Sequence, residues 1–251
     1  MDGVLLVLVL VAVVVLGAVV YGAMKTSAQR NAVALADAKA DARRVIDRLG
    51  GQVLNLTGTD EASKQALADA AERYTAAGSQ IEQATTVKQA QLAKESALEG
   101  LYYVRAARLA MGMDPGPDLD PLAGQRQAGV VTEERRVNFE GREIEASPTP
   151  SKRTPNYFPG GRVAGRPIPA GWYSEPWWKP ALVAGAWGVG SVLLFDALFS
   201  GMHGTGYEQG LAQGFDQGFD QGYEQGLEAG GADFGGADFG GGDFDLDFGG
   251  F

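Results

Sequence analysis

Ala181-Leu-Val-Ala-Gly-Ala-Trp-Gly-Val-Gly-Ser-Val-Leu-Leu-Phe-Asp-Ala-Leu-Phe199 decides how this chain folds. It is apolar apart from Ser191 and Asp196 and approaches the roughly 20 residues that a membrane-spanning helix needs. A second run, Val4-Leu-Leu-Val-Leu-Val-Leu-Val-Ala-Val-Val-Val-Leu-Gly-Ala-Val-Val-Tyr-Gly-Ala23, has no charge at all. Together they predict a mainly α protein with two transmembrane helices. Between the spans the pattern predicts a small helical bundle or coiled-coil hairpin and an extended Pro/Gly linker. A disordered tail comes after the second span. The expected boundaries are a transmembrane anchor over 1–24, a helical domain over 25–114 and a linker with a small hairpin over 115–171. An aromatic interfacial segment with the second span covers 172–202, and an acidic low-complexity tail covers 203–251.

The first run lacks a basic leader and exceeds the roughly 7–15 apolar residues of a cleaved signal, so it reads as an uncleaved anchor. Lys25, Arg30, Lys39, Arg43, Arg44 and Arg48 come after it, while Asp2 is the only charged side chain before it. Basic residues favour the cytoplasmic side. The expectation is a multi-pass protein of the cell membrane, with the helical loop cytoplasmic and both termini external. Trp172, Tyr173, Trp177, Trp178 and Lys179 precede the second run and read as a membrane-interface anchor, because such rings are apolar with a wet polar edge. A carbohydrate or ligand platform is the alternative use of these rings. Asp196 is the intramembrane polar residue, reaching toward the interface or lining an ion path. Ala181/Gly185, Ala184/Gly188 and Ala186/Gly190 place small residues four apart, which suits close helix packing and a homo-oligomer.

Lys25 to Leu49 has no Pro or Gly and is rich in Ala and charge, so it reads as a helix ended by Gly50-Gly51. Thr59 or Asp60 can cap a second helix from about Glu61 to Ala77. Ser79-Gln80-Ile81-Glu82 has the form of a capping box opening a third helix to about Met111. Asp114-Pro115-Gly116-Pro117 stops it. Tyr102, Tyr103, Arg105 and Arg108 read as core tyrosines beside a solvated basic face rather than as a nucleic-acid site. Farther on, Val137 and Phe139 alternate before Glu140-Gly141, the pattern of a small hairpin. Ser147 to Pro169 is proline-rich and reads as linker.

Composition narrows the chemistry. The chain has no Cys and one His, His203, so thiolate chemistry is excluded and histidine-based metal sites nearly so. It carries 21 basic and 31 acidic residues, and ten of the acidic ones lie beyond His203 with no basic residue among them. Such a tail repels nucleic acid. Tyr207, Leu211, Phe215, Phe219, Tyr223 and Leu227 recur every four residues among glycines, and then Phe234, Phe239, Phe244 and Phe248 each stand directly after an Asp. These four are the candidate tail interaction residues, weak stickers on a flexible acidic chain. Asp243, Asp245 and Asp247 lack the glycine and the distal Glu of a calcium loop. No catalytic, cofactor-binding or metal constellation is found.

Four stretches carry a resemblance: Asp37-Ala-Lys-Ala-Asp-Ala-Arg-Arg44, Leu54-Asn-Leu-Thr-Gly-Thr-Asp60, Leu98-Glu-Gly-Leu-Tyr-Tyr-Val-Arg-Ala-Ala-Arg108 and Trp172-Tyr-Ser-Glu-Pro-Trp-Trp-Lys-Pro180. With the Gly/Asp/Phe tail, the chain resembles an uncharacterised two-span membrane protein family of high-GC Gram-positive bacteria. The helical part is similar to a helical domain of unknown function. The resemblance implies a bacterial envelope and carries no catalytic residues across. The functional expectation is a non-enzymatic, membrane-anchored scaffold or interaction protein without cofactors, with the lipid bilayer and other proteins as partners and no nucleic acid. The alternative is an accessory subunit of a membrane transport or channel complex.

Overall fold

The computed structural model describes residues 2–205; the side chains of residues 2, 4–15, 17–20, 22, 23 and 189 are outside that description. The expected tail stickers Phe234, Phe239, Phe244 and Phe248 and the Asp243–Asp247 pattern also lie outside the described residues.

Three helices form the first layer: α1 (Asp2–Asn55), α2 (Glu61–Gln83) and α3 (Val87–Ala110). Asp60 opens α2. Its carboxylate accepts from the Ser63 amide at 2.8 Å, and the Ser63 hydroxyl accepts from the Asp60 amide at 3.1 Å. Thr86 and Gln89 repeat the same reciprocal cap for α3, which satisfies amides that no earlier carbonyl can reach. The capping box expected at Ser79 is therefore misplaced. Ser79 lies inside α2, where its hydroxyl accepts from Gln83 Nε2 at 2.8 Å.

Nor does Gly50-Gly51 end α1, which runs through both glycines. A Cβ on Gly50 would stand 2.8 Å from Tyr74 Cε2, and one on Gly100 would overlap Leu49 Cδ2. These glycines let helices approach one another rather than stop. Fully buried Ala66, Ala70, Ala77, Ala90, Ala93 and Ala97 continue the same close contact. Such short side chains bring α2 and α3 together, with the second half of α1 packed on both.

The rest of the described chain is a second, mixed layer. It contains α4 (Gln125–Ala128), β1 (Arg135–Phe139), β2 (Arg142–Ser147), β3 (Asn156–Phe158), β4 (Gly161–Val163), β5 (Arg166–Ile168), β6 (Gly171–Tyr173), α5 (Lys179–Ala184) and α6 (Val189–Phe199). Strands β1-β2-β6-β3 form an antiparallel sheet in that order, and β4-β5 a separate hairpin. Adjacent strand residues point to opposite faces, and here the two faces meet different partners. Trp172 packs with Ala62, Ala66, Ala106 and Ala107 of α2 and α3. Tyr157 bridges Tyr103 and Trp172, with ring centroids 6.1 and 5.0 Å away. Tyr173 and Phe158 enter the other core with Trp177, Trp178, Phe195, Leu198 and Phe199. The sheet thus lies between α2/α3 and α5/α6. A buried-edge ion pair, Lys179 Nζ to Asp69 Oδ1 at 3.0 Å, ties α5 to α2.

This architecture overturns the mainly α two-span expectation. Among the described residues no helix is long and apolar enough to cross a membrane, so the multi-pass membrane localisation and the transmembrane assignments fall. For the second run the reason is visible. Gly185 adopts φ +69° and its amide donates to Ala181 at 2.9 Å, closing α5. The next helix, α6, has only 11 residues. At 1.5 Å per residue it spans about 16 Å, roughly half of a hydrocarbon core of about 30 Å. Leu194, Phe195, Leu198 and Phe199 are buried against the sheet instead. The first run forms the start of α1. The 115–171 segment also departs from a linker, since it supplies five of the six strands.

Candidate functional site

Phe139 pairs with Arg142 across a two-residue turn. Glu140 and Gly141 in that turn both have positive φ, +50° and +76°, the signature of a type I′ hairpin turn. Glycine adopts this conformation without penalty, whereas a residue with a Cβ is held there under strain of order 1–3 kcal/mol. The turn carries Glu140 over the start of α6, where its Oε1 stands 3.3 Å from the place a Cβ on Gly190 would take.

A cavity of about 380 Å³ opens between the turn, the segment after β6 and α6. Phe139, Pro176, Trp177, Pro180 and Leu194 supply its apolar wall. Glu140, Arg142 and Glu175 supply its charge. Arg142 Nη1 donates to Glu175 Oε1 at 2.6 Å, and its Nη2 is 3.9 Å from Glu140 Oε2. One guanidinium therefore orients two carboxylates, leaving acceptor positions on both free for other donors. Gly188 and Gly190 keep one wall low. Trp177 is held from behind by Tyr173, Trp178, Trp187, Phe195 and Phe199, all with centroids within 6.3 Å. Its indole N–H is buried and has no acceptor. Trp187 in turn donates to the Val163 carbonyl at 2.8 Å.

A second cavity, of about 310 Å³, separates α2 and α3 from the β3–β4 connection. Arg73 Nε lies 3.5 Å from Glu99 Oε1 on its wall. Burial raises the Glu99 carboxyl above its ordinary 4.5; Arg73 opposes the shift and Asp69 adds to it. Nearby, burial pushes the Tyr157 hydroxyl up to about 12, with Tyr102 adding to it. Tyr103 and Tyr173 rise well above their ordinary value, also by burial first. Each of these phenols stays neutral. Tyr173 Oη donates to the Pro169 carbonyl at 2.7 Å.

The expected interface anchor is distributed differently. Trp172, Tyr173, Trp177 and Trp178 are 4%, 0%, 6% and 2% exposed, so they form protein core rather than an exposed girdle, and Lys179 is committed to Asp69. Asp196 lies on the exposed face of α6 and not within a spanning helix. Arg105 and Arg108 fasten the turn after α3. Arg105 Nη1 donates to Pro117 at 3.2 Å, and Arg108 Nε to Asp114 at 2.7 Å. Among the described residues, Trp177 of the expected interface anchor lines the 380 Å³ cavity, together with Gly188 and Gly190 of the small-residue pairs. Phe139, Glu140, Arg142 and Glu175 were missed. Their one sequence signal is Glu-Gly closing an alternating stretch. No protein-family model, curated protein or solved structure matches the chain.

Proposed function

We propose that this chain is a non-enzymatic interaction protein, in which a folded body holds one long helix out for a protein partner. The observation that supports this reading is the uneven burial of α1. Its later residues Leu35, Ala38, Ala42, Val45, Ile46 and Leu49 pack on α2 and α3. Every residue from Met24 to Ala34 is exposed, with Met24 at 67% and Val33 at 56%. A helix exposed to water over such a length is marginal on its own, so a partner that covers this stretch would stabilise it. The exposed residues are small or uncharged, apart from Lys25 and Arg30, and match another helix closely approached.

The absence of Cys makes the test clean. Single cysteines are placed at Ser27 and, as a control, at exposed Ser151, and each is labelled with a photocrosslinker in the full chain. The expected result is a discrete crosslinked protein at position 27 that is lost at position 151. Equal products at both positions, or none at 27, would overturn the reading.

A further inference from the structure

We propose that the cavity between the β1–β2 turn and α6 binds an uncharged saccharide ring. A sugar ring presents an apolar C–H face and a rim of hydroxyls, and the cavity has both counterparts. Phe139 and Trp177 are two aromatic side chains among those that line it. Trp177 is fixed by the surrounding rings, so the small part of it that lines the cavity meets a ligand without losing side-chain freedom on binding. Glu140 and Glu175 face the same space and accept hydrogen bonds from hydroxyls, while Arg142 donates to a ring or hydroxyl oxygen. The volume of about 380 Å³ falls at the small end of ligand sites, which run from roughly 300 to 1,000 Å³, and suits one or two rings.

The charges exclude the competing ligand classes. An anion meets two carboxylates. A cation competes with Arg142, which already bridges toward both of them at 2.6 and 3.9 Å. A wholly apolar ligand strips water from three charged groups and returns no hydrogen bond. A neutral polyol avoids all three conflicts. The backbone agrees: Glu140 is held at φ +50°, a conformation that glycine or asparagine adopts more readily, and this places its carboxylate above Gly190. The missing side chain at Gly190 leaves that space open, since a Cβ there would lie 3.3 Å from Glu140 Oε1 and 3.6 Å from Phe139 Cζ.

The full chain is titrated with chitotriose, maltotriose and mannotriose, with the fluorescence of its four tryptophans, Trp177 on the cavity wall among them, as the reporter. Tetramethylammonium chloride serves as the cationic comparison. The expected result is a saturable fluorescence change with at least one saccharide below about 10 mM, weakened about tenfold or more by Gly190→Leu and by Glu175→Ala. Gly190→Ala is the milder companion, because its methyl meets only the mobile end of Glu140 and the edge of Phe139. It should weaken binding while retaining the circular dichroism spectrum. Saturation by none of the three saccharides overturns the proposal. So does saturation by tetramethylammonium alone, or unchanged saccharide affinity in a folded Gly190→Ala together with Glu175→Ala.

Discussion

Gly100→Ala and Gly78→Ala should move stability in opposite directions, although both place the same methyl in the middle of a helix. Replacing an interior helical glycine by alanine ordinarily stabilises by roughly 0.5–1 kcal/mol. At Gly78 a Cβ meets nothing within 4 Å, so that gain should appear in full. At Gly100 the new Cβ overlaps Leu49 Cδ2 and lies 3.0 Å from Cδ1 and 3.1 Å from Arg73 Cβ. Leu49 is fully buried, so its side chain can shift only by displacing packed neighbours. Overpacking of this kind costs about 1–3 kcal/mol. The net effect runs from about zero to a loss of about 2.5 kcal/mol, centred a little above about 1 kcal/mol. For a domain of this size each kcal/mol corresponds to about 2–4 °C in Tm, so Gly78→Ala should melt slightly higher than wild type and Gly100→Ala clearly lower. Urea and thermal unfolding monitored at 222 nm measure both. In a Leu49→Ala background most of the Gly100→Ala penalty should be lost, because the clashing methyls are gone and only the 3.1 Å approach to Arg73 Cβ remains, and that non-additivity marks direct contact. If Gly100→Ala stabilises as much as Gly78→Ala, α1 and α3 do not approach at this point and the close helical layer is wrong.

Two further perturbations probe the layers' electrostatics. Lys179→Met leaves the Asp69 carboxylate, 6% exposed, without its cation; the cost should be about 1–2 kcal/mol, less than for a wholly buried pair because the lysine is partly solvated. Asp69→Asn in the same chain should recover most of it by urea denaturation, and no recovery would mean that the pair does not join α5 to α2. Burial raises Glu99 above its ordinary 4.5 in the folded state, so the folded chain binds the proton more tightly than the unfolded one. That contribution is fully present below pH 4.5 and is lost as pH rises through the raised folded value. Glu99→Gln should flatten this decline in unfolding free energy as pH rises above 4.5, and an unchanged slope would reject the assignment.

How much of the fold was legible in sequence depends on what each residue competes with. The β1–β2 hairpin is legible because alternation at Val137 and Phe139 and a turn at Glu140-Gly141 are both local. The stop at Asp114-Pro115 is local too. By contrast, Gly50 and Gly100 carry meaning only through Tyr74 and Leu49, which are distant in sequence. A rule that glycine ends helices cannot distinguish a cap from a contact. Ser79 with Glu82 has the letters of a capping box, but Asp60–Ser63 and Thr86–Gln89 have the geometry, and the extended backbone of the capping residue itself, Asp60 or Thr86, decides between them. The cavity is less legible still. Phe139 and Glu140, Arg142, Glu175 and Gly190 come from three segments that meet only after the sheet and α6 are in place.

The Ala181–Phe199 run shows why hydropathy alone misdirects. A helix in lipid and a helix between a sheet and its neighbours both need apolar side chains, and transfer from water favours each at about 25 cal/mol per Å². Length and continuity distinguish them. Gly185 with positive φ ends one helix, and three residues separate it from the next. A backbone interrupted in this way leaves polar groups that hydrocarbon cannot satisfy. Here the Gly185 amide is satisfied within the protein by the Ala181 carbonyl at 2.9 Å, and α6 turns Leu194, Leu198 and Phe199 onto Tyr173 and Trp178. The same turn brings Gly188, Gly190 and Ser191 to the cavity mouth. The break that rules out a span is therefore also what places the start of α6 opposite Glu140, and a change that rejoined α5 to α6 would remove the cavity along with the break.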